Sequence, residues 1–142
     1  MAIGTDASGA AANAPSRPPG ARVVLAGAAL AMALAVTLGA FGAHALRARV
    51  VPERLAVWQT AVQYHAWHAL ALLVLGLLLA RGPAPRGLTA SAALFAAGIV
   101  LFSGSLYALV LTGAAGFGVV TPFGGVAFIA GWLVLAWSVW RG

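Results

Sequence analysis

Residues 23–43 read VVLAGAALAMALAVTLGAFGA and contain no charged side chain over 21 consecutive positions. As an α-helix, this run is about 31 Å long, which matches the hydrocarbon core of a bilayer. Further apolar stretches follow it, and the predicted spans lie near residues 23–43, 57–80, 88–111 and 122–140. The sequence therefore predicts an all-α integral membrane protein, folded as a four-transmembrane-helix bundle.

The composition of the whole chain agrees with this prediction. Of its 142 residues, 63% are hydrophobic and 7% are charged, and the mean hydropathy is +1.00. An average soluble domain carries about 25% charged residues, so the composition excludes an ordinary water-soluble enzyme domain. The absence of cysteine excludes disulfides, thiolate metal sites and cysteine nucleophiles.

Residues 1–20 differ from the rest of the chain because they are small, polar and proline-rich, without an apolar period. Such a segment buries too little apolar surface to become ordered. We therefore expect residues 1–20 to form a disordered N-terminal tail. Residues 21–142 are expected to form a single membrane domain.

The positive charges indicate how the chain sits in the membrane. The arginines flank the apolar stretches and form no basic patch, so we expect the lipid bilayer as a partner and no nucleic acid. The side that holds both termini carries more of them (Arg17, Arg22, Arg81, Arg86 and Arg141) than the other side (Arg47, Arg49 and Arg54). The positive-inside rule then predicts a multi-pass protein of the cell (inner) membrane with both termini in the cytoplasm.

Polar side chains inside the predicted spans form a candidate site. The uninterrupted apolar run 69–80 covers only about 18 Å, so the second span must begin earlier and carry polar residues into the membrane. Counted from Arg81, His68 lies about 20 Å along the helix, so we expect the polar groups in the half that faces away from the cytoplasm. The candidate polar pocket consists of His44, Gln59, Gln63, Tyr64, His68, Ser103, Ser105, Tyr107 and Thr121.

This group of residues leaves several functions open. The polar groups can hydrogen-bond to one another between helices, or they can hold a small solute, a lipid or a quinone. A third reading is a haem-binding redox subunit that uses His44 and His68. No carboxylate lies within the spans, so we expect no metal site, no cofactor and no enzyme activity. The favoured interpretation is a non-enzymatic accessory or structural membrane protein.

Small residues are frequent, with 18 glycines in the chain. Small residues four positions apart allow helix backbones to approach closely. The glycines expected at helix contacts are Gly27, Gly104, Gly125 and Gly131. The contacts they make could lie within the bundle, or against a second copy or another membrane protein.

Short motifs also resemble a known family. They are LGAFGAH at 38–44, WQT at 58–60, YHAWH at 64–68, FSGSLY at 102–107, TPFGG at 121–125 and AGW at 130–132. In this order they are similar to the domain-of-unknown-function 423 family, the YgdD-like small multi-pass inner-membrane proteins, over roughly residues 25–141. The resemblance implies about four spans and supplies no catalytic residue.

Overall fold

The computed structural model of the protein describes residues 18–82 and 86–141. It contains four long helices, α1 (Pro19–Leu46), α2 (Pro52–Leu79), α3 (Arg86–Thr112) and α4 (Gly116–Arg141). Each helix has 26 to 28 residues, and is therefore longer than the roughly 20 residues that cross a bilayer. The predicted fold class is confirmed, because this is an all-α membrane protein with four transmembrane helices.

Proline and glycine set the helix ends. Pro19 and Pro52 stand in the first turns of α1 and α2, where the missing N–H breaks no helical hydrogen bond. Val51, just before α2, has extended backbone angles, as the residue before a proline prefers. Gly113 ends α3 in the left-handed region with φ 74°, and its N–H donates to the carbonyl of Leu109 at 2.9 Å.

Two helix starts differ from the sequence prediction. Residues 1–17 of the predicted tail lie outside the described residues, and α1 already begins at Pro19. Helix α4 begins at Gly116, so Pro122 lies inside it and not in its first turn. The glycines of this segment adopt helix because a backbone that enters lipid must satisfy its own hydrogen bonds.

Two helices contain π-helical turns. One covers Gly42–Leu46 at the end of α1, and the other covers Ile99–Gly104 in the middle of α3. A π-turn accommodates one extra residue within a helix and changes the direction of the side chains that follow it. Ser103 and Ser105 are both buried at the second π-turn.

Helices α1 and α2 form an antiparallel pair. The buried face of α1 carries small residues spaced by seven positions, Ala21, Ala28, Ala35 and Gly42, and Leu46 is buried at its end. A Cβ at Gly42 would lie 2.7 Å from the Trp58 ring, and one at Gly76 would lie 2.8 Å from Leu25. A repeat of seven is typical of helices that coil around each other with a left-handed twist.

Helices α3 and α4 pack with large side chains of one helix against small residues of the other. Phe95 of α3 lies against Gly131 of α4, and Phe102 of α3 lies against Gly124 of α4. The two phenylalanines are seven residues apart in α3, and the two glycines are seven residues apart in α4. In the opposite sense, Phe128 of α4 lies against Gly98 of α3. This alternation fixes the antiparallel register of the pair, because an offset would place large side chains against each other.

The core joins the two pairs. Leu72 and Leu75 of α2 pack in one buried cluster with Phe95 of α3 and Phe128 of α4. Large apolar side chains such as Leu30, Val100 and Leu133 are exposed on the outside. Such an apolar exterior is the surface that a bilayer covers.

Candidate functional site

His68 lies near the middle of the bundle. Helix α2 begins at Pro52, so His68 is about 24 Å from the start of the helix and about 16 Å from its end at Leu79. From the number of residues between Arg81 and His68, the sequence analysis predicted that His68 lies in the half of the bundle facing away from the cytoplasm. The structure places it close to the centre of α2, because α2 extends further toward its start than one bilayer core requires.

Both ring nitrogens of His68 have partners. Nδ1 lies 2.8 Å from the carbonyl oxygen of Tyr64, and the indole N–H of Trp132 donates to Nε2 at 3.2 Å. This pattern assigns the neutral tautomer with its proton on Nδ1. The ring of Phe128 stacks on the imidazole with 3.5 Å between centroids. His68 therefore connects α2 to α4 through the Trp132 hydrogen bond and the stacked Phe128 ring, while its other nitrogen bonds within α2.

His65 contacts α3 one turn earlier along α2. Its Nδ1 lies 3.3 Å from the hydroxyl of Tyr107. The ring of Tyr107 packs on Trp58, whose indole N–H donates to the carbonyl of Leu38 in α1 at 2.9 Å. These contacts link α1, α2 and α3 near the end of the bundle where α1 finishes.

Serines connect α3 to α4 at two levels. The Ser105 hydroxyl lies 2.8 Å from the Thr121 hydroxyl and 3.0 Å from the carbonyl oxygen of Phe102. Fourteen residues earlier in α3, the Ser91 hydroxyl donates to the carbonyl of Gly131 at 3.0 Å. The polar contacts are thus distributed along the length of the helices, and they extend beyond one half of the bundle.

Two buried polar atoms lack a hydrogen-bond partner among the described residues. They are Nε2 of His65 and Oγ of Ser103. His65 is 2% exposed and Ser103 is fully buried. A buried polar group without a partner costs about 1–3 kcal/mol, so these atoms are the places where a water molecule or a small guest would be stabilised.

Three of the predicted pocket residues lie away from these contacts. His44, Gln59 and Gln63 have exposed side chains. The two glutamines line an open groove of about 360 Å³ between α1 and α2, together with Gly39, Gly42, Ala43, Trp58 and Val62. The other six predicted residues are buried or half-buried in the bundle: Tyr64, His68, Ser103, Ser105, Tyr107 and Thr121.

The structure does not bring His44 and His68 together. Gly42 packs on Trp58 and Gly39 packs on Val62, so His44 lies close to the level of Val57. This level is about 16 Å along the axis from His68, too far for both imidazoles to bind one iron. Within the ranges 18–82 and 86–141, no group of three His, Cys, Asp or Glu residues is placed to hold a metal ion.

The predicted packing glycines differ in their surroundings. Gly131 is in tight contact with Phe95, whereas a Cβ at Gly125 would have its nearest neighbour at 3.9 Å. A Cβ at Gly104 would likewise meet only the Ile99 carbonyl at 3.9 Å, and at Gly27 it would meet open space. The glycines in close contact, such as Gly124 and Gly131, are seven residues apart. The prediction was based on a spacing of four residues.

Several residues of this network were missed by the sequence reasoning. Trp132 was noted only as the last residue of the AGW motif, and Ser91 and Phe128 were not singled out. The signal that could have found them is the repeat of seven in α3 and α4, which aligns Ser91, Gly98 and Ser105 on one face.

Comparison with known proteins places this bundle in a family. The profile of the DUF423 family, described as "protein of unknown function", matches residues 38–125. The chain belongs to the DUF423 family. This finding confirms the resemblance drawn from the short motifs. All nine predicted pocket residues lie inside the range of the DUF423 match.

Relatives of this DUF423 protein are bacterial membrane proteins. The UPF0382 membrane protein YwdK of Bacillus subtilis is 49% identical over 102 residues, which are 72% of this chain and 83% of the relative. The UPF0382 membrane protein SAB0533 of Staphylococcus aureus is 45% identical over 112 residues, covering 79% of this chain and 89% of that protein. No solved structure matches the chain.

Proposed function

We propose that this DUF423 protein is a non-enzymatic structural or accessory protein of the bacterial inner membrane, with both termini in the cytoplasm. It presents a preassembled four-helix unit to another membrane protein or to a second copy. The observation that carries this proposal is that both His68 nitrogens already have hydrogen-bond partners, the Tyr64 carbonyl within α2 and the Trp132 indole of α4. A general base or a metal ligand needs a free nitrogen lone pair, which His68 does not offer.

The other polar groups support the same interpretation. The hydroxyls of Ser91 and Ser105 and the indole of Trp58 bond to neighbouring helices. Bonds of this kind contribute about 0.6–2 kcal/mol each to helix association in a membrane. The polar side chains therefore act to hold the helices in one arrangement.

A second candidate function rests on the buried Nε2 of His65 and Oγ of Ser103. Because these atoms have no hydrogen-bond partner, they could bind a small polar molecule between α2 and α3. This function corresponds to the hypothesis of a solute-, lipid- or quinone-binding protein. The haem reading has no comparable support, because His44 and His68 lie at different levels.

The experiment is native mass spectrometry of the full-length protein, released from nanodiscs prepared directly from its own membrane. We expect a second polypeptide on the folded chain, either a different protein or another copy. Trp132→Phe removes the donor to His68 and should lower the midpoint of thermal unfolding while the second polypeptide is retained. Trp140→Phe, at a ring that is 86% exposed, is the matched control and should change neither measurement.

Two other results would contradict the structural proposal. A small polar molecule that is present on the wild-type chain and lost in His65→Phe and Ser103→Ala would overturn the structural proposal in favour of the second candidate. A bare single chain in every preparation would contradict both.

A further inference from the structure

An apolar groove runs between α1 and α3, away from the polar contacts. Its volume is about 440 Å³, within the range of small-molecule sites. The α1 side is lined by small residues and valines, among them Val24 and Gly27, and the α3 side mainly by alanines, among them Ala96. The groove exists because α1 packs chiefly on α2 and presents its small residues toward α3.

A second cavity continues the groove to the end of the bundle. It has a volume of about 500 Å³ and is lined by Pro18, Gly20, Leu79 and Gly82 among others. Val24 and Thr89 line both cavities, so the two adjoin each other. The groove therefore opens at the level where α1 begins and α2 ends.

The length of the groove corresponds to one leaflet of a bilayer. Along α3 it extends from Thr89 to Val100, which is about 16 Å. Val100 lies near the middle of α3, so the groove reaches from the surface to about the midplane of a 30 Å core. A transmembrane helix of a partner would continue across the other half, whereas an acyl chain ends at the midplane.

The open end of the groove is positively charged. Arg86 lies one turn before Thr89 on the same face of α3, and Arg81 precedes Gly82 of the cavity wall. Both arginines are exposed. Within the part of the chain that the structure describes, the acidic residue is Glu53, and it lies at the opposite end of α2. An anionic headgroup at this end would meet cations without a neighbouring carboxylate.

We propose that the groove between α1 and α3 binds one anionic glycerophospholipid, with an acyl chain along the alanines of α3 and the phosphate beside Arg81 and Arg86. The combination of an apolar cleft one leaflet deep and an arginine pair at its opening matches the two parts of such a lipid. The site is separate from the polar contacts around His68, and it does not depend on the proposed structural function.

The test uses full-length protein in bilayers of equal parts phosphatidylglycerol and phosphatidylcholine, followed by native mass spectrometry. The wild-type chain is expected to retain one phosphatidylglycerol. Ala96→Leu and Gly27→Leu fill the groove from its two sides and should each lower the retained lipid about tenfold. Ala97→Leu and Ala29→Leu add the same bulk at exposed neighbouring positions outside the groove, and should retain the lipid as the wild type does.

The headgroup is tested separately. Arg86→Gln should remove the preference for phosphatidylglycerol over phosphatidylcholine, whereas Arg141→Gln, at the same end of the bundle on α4, should keep it. Equal retention in Ala96→Leu and Ala97→Leu would overturn the proposal. So would a dimer mass that Ala96→Leu abolishes, because the groove would then hold a second copy.

Discussion

Gly124 and Gly125 are neighbours in α4, but they have different surroundings. A Cβ at Gly124 would collide with the backbone of Phe102 in α3, since it would lie 2.7 Å from the Phe102 Cα. A Cβ at Gly125 would come no closer than 3.9 Å to the Phe102 ring. A backbone cannot move aside as a flexible side chain can, so the two positions should tolerate a methyl group very differently.

We predict that Gly124→Ala destabilises the bundle by about 1–3 kcal/mol, the usual cost of overpacking a close contact. Gly125→Ala is the matched control, and it should be neutral or stabilising by up to about 1 kcal/mol, because alanine is a better helix former than glycine. Thermal unfolding of both variants in the same detergent measures the difference. Equal midpoints for the two variants would show that α3 and α4 are not in this close contact.

At the scale of the helices, the register between α3 and α4 determines which polar groups meet. Ser105 faces Thr121 because Phe95 and Phe102 fit against Gly131 and Gly124. If one helix were offset by one residue, the side chain facing its neighbour would be the next one along, which points about 100° away, and these partners would be separated.

The absence of native cysteine allows this register to be tested without background. The Ser105 and Thr121 hydroxyl oxygens are 2.8 Å apart, so the double variant Ser105→Cys with Thr121→Cys should form a disulfide efficiently on mild oxidation in membranes. Ser105→Cys with Phe123→Cys is the control, since Phe123 is 66% exposed on the outside of α4. Cross-linking of the control pair as fast as the first pair would reject the register.

At the scale of the whole molecule, the arginines lie at the two ends of the helices. Arg47, Arg49 and Arg54 lie at the end where α1 finishes and α2 begins, and Arg22, Arg81, Arg86 and Arg141 lie at the other. All of these side chains are exposed, which suits contact with headgroups and water.

We predict that the end with more arginines faces the cytoplasm. In intact cells, a membrane-impermeant thiol reagent should label Ala48→Cys, whereas Gly142→Cys should react only after the membrane is permeabilised. The reverse pattern would place both termini outside and would contradict the orientation. Replacing Arg81 and Arg86 together with glutamine should increase the fraction of chains in the reversed orientation.

The sequence by itself was sufficient for the number of spans, the membrane class and the family. These depend on the length of apolar runs, the low charge and short motifs, all of which are local properties of the chain. It also located the polar residues of α2, because the apolar run 69–80 is too short to cross a bilayer alone. The starts of α1 and α4 were less predictable, since glycine and proline that favour a loop in water can remain helical in lipid.

Only the tertiary structure decided which polar groups are partners. His68 and Trp132 are 64 residues apart, and Ser91 and Gly131 are 40 apart, so no local pattern connects them. Their meeting depends on the register and rotation of neighbouring helices, which the packing of phenylalanine against glycine fixes. The same packing leaves His44, Gln59 and Gln63 on the outside and opens the groove between α1 and α3, because each helix has one face to bury and its neighbours determine which face that is.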